Sequence, residues 1–300
     1  MSLSKSSTYT PTYQEEESLL ESNYSLIAGI DEVGRGTLAG PVVAASVILS
    51  PNPKGNWVNL VRDSKQMTPN QRESLLPYIK EAALSSEIGI STSIEIDDIG
   101  IVNATNLAMK RALNQMALQP QFLLVDAVTL PDLSIPQKAI VHGDSLCLSI
   151  AAASIVAKVT RDEMMTQEDV TYPGYGFAKH KGYGTSEHLF NLRNHLACPI
   201  HRKGFRPVVN YIPTLSHLKE NRLLERWGKR LAARELIRNG YTVLEMNYSA
   251  APYGEIDVVA REDDTVVFVE VEFSTQKILA RPEDQMNDSK LAKLFNSMNI

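Results

Sequence analysis

Cysteine is nearly absent. Only Cys147 and Cys198 occur in 300 residues, and neither belongs to a C-x-x-C pair. That excludes a disulfide scaffold and a structural zinc site, and two reduced thiols point to a cytoplasmic protein. No apolar run is long enough to span a bilayer, so no membrane partner is expected. The N-terminus has no apolar core of the kind a secretion signal needs. It is polar, it carries Glu15-Glu16-Glu17, and residues 1–23 read as a flexible leader. Positive charge is not in excess either, with 30 Lys and Arg against 35 Asp and Glu, a formal net charge of −5. Such a balance does not advertise a nucleic-acid binder, but a local basic patch can sit on an acidic protein. There is no Gly-Lys-Ser/Thr of a Walker loop, no internal repeat and no low-complexity tract.

What is present begins with Gly29-Ile30-Asp31-Glu32-Val33-Gly34-Arg35-Gly36. The apolar run 26–30 reads as a buried strand that delivers two adjacent acids to its end. Unpaired buried charge is costly, and a divalent cation is a natural partner for oxygen ligands. The glycines that follow let backbone N–H groups approach a substrate closely, and Arg35 offers a charge suited to phosphate. Metal and phosphate recognition within so few residues points to nucleic-acid chemistry.

Further along, strands are expected at 42–49, 87–96, 121–125 and 138–141. Helices are expected from the Thr68-Pro69-Asn70-Gln71 start to about residue 83, over 101–118 and over 146–165. Alternation of this kind argues for an α/β layer fold with mixed pairing. After an irregular stretch at 205–213 a second, smaller α/β unit begins. It shows a basic amphipathic helix with Leu223, Leu224, Trp227, Leu231 and Leu236, strand-like runs at 241–244, 256–260 and 266–271, and a helix at 289–297. The expected division is therefore 1–23, 24–213 and 214–300.

Two more acids share the strand-end pattern. Asp126 closes the run 121–125, and Asp144, in His142-Gly143-Asp144-Ser145, stands at the mouth of the Ala-rich helix. Ligands of open α/β sheets gather at the carboxyl ends of strands. Carboxylates meeting there repel unless a cation lies between them, and two shared ions suit phosphodiester displacement. Taken singly, Asp144 is equally a good helix N-cap. Gly34 and Gly36 also resemble a dinucleotide-binding loop with Ala39 at the third position, but Asp31 and Glu32 would repel a pyrophosphate. Positive charge comes from 179–206, where Lys179, Lys181, Arg193, Arg202, Lys203 and Arg206 face the single acid Glu187. Tyr183, between Gly182 and Gly184, suits contact with a sugar or base. The spacing of His180, His188, His195 and His201 matches no zinc pattern, and most of them read as surface residues.

As a set, these motifs resemble ribonuclease HII. The matching pieces are residues 28–36 and 38–44, Asp63-Ser64-Lys65, Leu124-Val125-Asp126, residues 142–145 leading into 149–158, and Lys181-Gly182-Tyr183-Gly184-Thr185. The resemblance covers about 24–210. It implies an RNase H-like mixed sheet flanked by helices. It also implies cleavage of the RNA strand of RNA/DNA hybrids and incision at single ribonucleotides in duplex DNA, leaving 5′-phosphate and 3′-hydroxyl ends. Asp31, Glu32, Asp126 and Asp144 match the family's catalytic, metal-binding acids, with Mn²⁺ or Mg²⁺ as cofactor. Gly34, Arg35 and Gly36 match its reader of the ribose 2′-hydroxyl, Tyr183 its stacking tyrosine, and Lys65 a phosphate contact. A monomer is expected.

In the second unit, Gly254-Glu255-Ile256-Asp257 followed by Phe268-Val269-Glu270-Val271 resembles the YraN-like family of uncharacterised bacterial proteins. That family looks like the restriction-endonuclease fold, in which acids and a lysine surround a metal. Asp257 and Glu270 match the acids, whereas Glu272 stands where the lysine is expected. The expectation is an incomplete domain that serves as a packing or nucleic-acid-binding appendage.

Overall fold

A computed structural model describes residues 10–220, 223–250 and 254–272. The elements run α1 (Gln14–Glu21), β1 (Ile27–Val33), β2 (Val42–Leu49), α2 (Pro69–Ala82), β3 (Ala83–Ser91), α3 (Ser93–Ile99), α4 (Ile101–Asn114), β4 (Phe122–Asp126) and β5 (Gln137–Ile140). Then come α5 (Gly143–Leu146), α6 (Leu148–Thr171), α7 (Phe177–His180), α8 (Ser186–His195) and α9 (Arg206–Val209). The remainder is α10 (Leu215–Glu220), α11 (Leu224–Arg238), β6 (Thr242–Ala250), β7 (Gly254–Glu262) and β8 (Thr265–Val269).

The chain forms two compact units. One holds residues up to His195 together with Ile200–Asn210, and the other holds Leu196–Pro199 and everything from Tyr211. The short segment 196–199 belongs with the second unit, tied by the Ala197 N–H to the Tyr211 carbonyl at 2.7 Å.

In the first unit five strands lie in the order β3-β2-β1-β4-β5. The pairs β1–β2 and β2–β3 are antiparallel, while β1–β4 and β4–β5 are parallel. Every residue of β2 is buried, as expected of a strand covered on both faces. Val43, Ala45, Val47 and Leu49 pack with α2 and α6. Val42, Ala44 and Ile48 point the other way, into the layer containing Ala104, Ala108 and Met109 of α4. Helix α6 lies so close to β1 that a Cβ at Gly29 would meet the Ser149 carbonyl carbon at 2.2 Å. That contact fixes the long helix beneath the strand that carries Asp31.

Two expectations change. Residues 93–96 are not strand, because Thr92 and Glu95 form a reciprocal capping box that starts α3. Part of the stretch read as a leader is ordered. Thr12 exchanges backbone hydrogen bonds with Leu146 and Leu148 at 3.0 and 2.9 Å, and α1 follows at once.

In the second unit β6, β7 and β8 form an antiparallel meander. Ile256 and Val259 pack with Tyr248 and Phe268, and Trp227 and Ala233 of α11 are buried. The helix expected at 289–297 lies outside the described residues.

Candidate metal and nucleic-acid site

Parallel pairing of β1 with β4 sets Ile30 opposite Val125, so the next residues, Asp31 and Asp126, stand side by side on neighbouring strands. Asp126 ends β4, whereas β1 does not end at its acids but runs on through Asp31 and Glu32 to Val33, paired with β2. Asp31 is buried, and Ser154 of α6 holds its carboxylate. Ser154 in turn shares a 2.8 Å hydrogen bond with Ser64, which explains the serine of the Asp63-Ser64-Lys65 motif. Asp126 accepts from the Gly143 N–H at 2.8 Å. That bond anchors α5, whose first turn carries Asp144. Asp144 caps no helix here. His142 occupies the N-cap of α5 and Cys147 that of α6, so the capping alternative falls away.

The four carboxylates share one field. Burial pushes Asp31 well above the ordinary carboxylate range, with Glu32 and then Asp126 adding repulsion. Glu32 is raised by burial despite its hydrogen bond from Arg35. Asp126 is raised by burial and by Asp144, against the Gly143 N–H. Lys65 reaches across to Asp144 at 3.1 Å, and its ammonium is held protonated chiefly by that acid.

A divalent cation fits this set. The donors are all oxygens, three of them are strained by burial and mutual repulsion, and Glu32 Oε2 is buried with no hydrogen-bond partner. Positive charge at the mouth relieves each of these costs. Among the described residues no three His, Cys, Asp or Glu side chains stand in ligating geometry; Asp144 and Glu32 are paired with Lys65 and Arg35.

Beside the acids, residues 34–41 are held from within by two fully buried arginines. Arg161 of α6 donates to the carbonyls of Pro41, Ala39 and Lys181 and to Thr37 Oγ1. Arg202 donates to the carbonyls of Gly34, Arg35, Gly40 and Pro41. Burial lowers their pKa values to about 10 and about 9. Counting Arg202 with a surface basic patch was therefore wrong, and Arg161 was missed. Lys181 also turns inward, onto Thr166 Oγ1 and the Asp162 carbonyl. The Arg35 side chain itself remains exposed and pairs with Glu32 at 3.1 Å.

Tyr183 is 40% exposed, and the Lys158 ammonium lies 5.7 Å from its ring centre. Its backbone rests on histidines whose spacing alone suggests surface residues. His180, His188 and His201 are buried instead. The Tyr183 carbonyl can only accept, so His188 Nδ1 donates to it at 2.9 Å. His188 Nε2 then accepts from His201 Nε2 at 3.1 Å. The Gly182 N–H donates to His180 Nδ1 at 3.2 Å. These rings stack and tilt around Phe177.

The sequence profile of the ribonuclease HII family matches residues 28–208. The chain belongs to the ribonuclease HII family. Ribonuclease HII of Dehalococcoides mccartyi is 52% identical over 198 residues, covering 66% of this chain and 94% of that protein. Ribonuclease HII of Desulfitobacterium hafniense is 54% identical over 195 residues, covering 65% and 74%. The crystal structure of ribonuclease H2 from Pyrococcus horikoshii superposes with a TM-score of 0.54 at 26% identity, covering 62% of this chain and 96% of that one. The chain is thus a metal-dependent endoribonuclease of type 2, from a family that cleaves the RNA of RNA/DNA hybrids. Residues 228–300 match the uncharacterised protein family UPF0102, the YraN-like group. No helix among the described residues is long and apolar enough to cross a membrane.

Proposed function

We propose that this protein cleaves the RNA strand of RNA/DNA hybrids and also incises duplex DNA at single embedded ribonucleotides. Asp31, Glu32, Asp126 and Asp144 hold the cofactor, Mn²⁺ or Mg²⁺. When bound, such a cation supplies an activated water and neutralises charge at the phosphorus. An oxygen–phosphorus bond forms from water, the P–O3′ bond breaks, and the 3′ oxygen takes a proton. The ends are a 3′-hydroxyl and a 5′-phosphate. Lys65 lies against a phosphate oxygen beside Asp144.

Selectivity rests on the loop next to the acids. The 2′-hydroxyl is the group that distinguishes RNA from DNA at one position, and Gly34, Arg35 and Gly36 read it. Gly36 has open space where a side chain would stand, so the protein itself does not require a glycine there. The half-exposed ring of Tyr183 stacks on the neighbouring nucleotide. Cys147 and Cys198 are buried and neither is in a disulfide, which supports a cytoplasmic setting.

The observation that carries this reading is the placing of Asp31 and Asp126 on neighbouring parallel strands, with Glu32 repelling the first and Asp144 the second, beside an arginine-held glycine loop. A strand-cleavage assay across all-DNA, all-RNA, hybrid and single-ribonucleotide duplexes tests it. Hybrid and single-ribonucleotide duplexes are cut with Mn²⁺ or Mg²⁺ and left whole with chelator. Asp31→Asn lowers cleavage by about 10³-fold or more while circular dichroism stays unchanged. Retained activity in that variant defeats the assignment of the acids. Cleavage of the hybrid alone defeats the single-ribonucleotide part.

A further inference from the structure

The second unit has an acid pocket of its own. Asp257 sits on β7 and is buried. Its Oδ2 accepts from the Val271 N–H at 2.7 Å, and the Glu270 carboxyl group lies within hydrogen-bond reach of it. The other oxygen, Oδ1, faces the ammonium of Lys229 at 2.6 Å. Lys229 comes from α11, and its side chain is only 7% exposed. The same ammonium meets Glu255 Oε1 at 2.9 Å, Asn247 Oδ1 at 3.1 Å and Glu225 Oε1 at 3.3 Å. A lysine has three donors, and here oxygens crowd all of them.

A restriction-endonuclease resemblance implies a divalent ion at Asp257 and Glu270. The residues do not fit one. The place among the carboxylates is filled by a cation tethered to the chain, and both oxygens of Asp257 already have donors. Lys229 does not yield the place by losing its proton, because Asp257 and Glu255 push its pKa upward against burial. A divalent ion entering beside it would stand within a few ångströms of a like charge in a poorly hydrated pocket. Glu272, where that fold carries its lysine, completes an exchange of charge between helix and strand.

We propose that Lys229 is a built-in counter-ion that takes the metal's place in the C-terminal pocket, so that this unit is a metal-independent, non-cleaving module. Its acids serve to seat α11 on β7. Neutralising Lys229 uncovers a latent cation site at Asp257.

Mn²⁺ binding to the full chain tests this, in a parent carrying Asp31→Asn and Asp126→Asn to silence the first site. Paramagnetic resonance counts bound ions. Fe²⁺-driven hydroxyl-radical scission reports where along the backbone an ion sits. In that parent no scission is expected around 255–258, and Asp257→Asn leaves the Mn²⁺ isotherm unchanged. Lys229→Gln gains one Mn²⁺ with at least tenfold tighter binding, lost again on adding Asp257→Asn, whereas Lys229→Arg gains none. The proposal is overturned by scission at 255–258 in the parent, or by a folded Lys229→Gln protein that gains no ion. Should Lys229→Gln fail to fold, the scission pattern of the parent still decides.

Discussion

Gly34 and Gly36 are two residues apart and are glycines for different reasons. At Gly34 the backbone has φ of +96°, and a Cβ would meet Arg161 Nε at 2.3 Å. Gly34→Ala is expected to cost about 1–3 kcal/mol of stability, measured by denaturant unfolding. At Gly36 no atom stands within 4 Å of that position. Gly36→Ala should keep stability within about 0.5 kcal/mol while lowering kcat/KM on a single-ribonucleotide duplex by about tenfold or more, roughly 1.4 kcal/mol. Equal losses of stability at the two positions would count against a substrate role for Gly36.

His188 carries a pH dependence. Burial lowers its pKa from 6.5 to about 4, against the hydrogen bond to the Tyr183 carbonyl. Between those values the unfolded chain binds the extra proton, so stability rises with pH across that window. The contribution is complete above about 6.5 and lost below about 4, on the order of 3 kcal/mol in all. Protonation would also set two N–H groups face to face between His188 and His201. The acid limb of Tm against pH should flatten in His188→Gln, and an unchanged limb would assign that slope elsewhere. None of this was legible in the histidine spacing. Sequence shows which residues are basic, but not which of them the fold draws inward.

At the scale of elements, the long helix α6 begins without a cap of its own, since Cys147 makes no side-chain capping bond. The cap comes from α1. Glu16 is buried, and its Oε1 accepts from the Ser149 N–H at 2.8 Å and from Cys147 Sγ at 3.1 Å. A carboxylate at a helix N-terminus satisfies orphan donors and complements the helix dipole. The clamped residues follow Asp144 directly, so the ordered stretch from Thr12 to Glu21 steadies one wall of the acid site. Glu16→Ala should cost about 1–2 kcal/mol, as the loss of a cap does, and should raise the Mn²⁺ needed for half-maximal cleavage. Glu16→Gln keeps an acceptor and should keep most of both. Equal metal requirements in all three proteins would confine Glu16 to stability. In sequence Glu16 sits inside an acidic triplet of a polar leader. Its partner lies 133 positions away, and no local pattern announces such a pairing.

Across the whole molecule, legibility followed the kind of signal. Strands covered on both faces, such as β2, announce themselves by unbroken apolar runs. Asp31 and Asp126 could be placed together because each ends such a run and neighbouring parallel strands share an end. The switch from β3 to α3 was hidden, because Thr92 and Glu95 act through a cap inside an apolar pattern that reads equally as strand. In the second unit the odd residue, Glu272, was visible in the motif, but its counterpart Lys229 was not, because only the folded chain brings α11 over β7. The net charge of −5 misled least once its sources were separated. Within 179–206, Lys181 and Arg202 turn onto internal carbonyls, and Lys179 pairs with Glu187.

Arg161 and Arg202 have a consequence for fidelity. The carbonyls of Gly34, Arg35, Ala39, Gly40 and Pro41, and that of Lys181 two residues before Tyr183, hang on these guanidinium forks. On the roles proposed above, sugar discrimination and base stacking would therefore share one mounting. Loosening it would blur both at once, and a protein that begins to nick plain DNA through such damage should at the same moment lose its grip on where along the duplex it cuts.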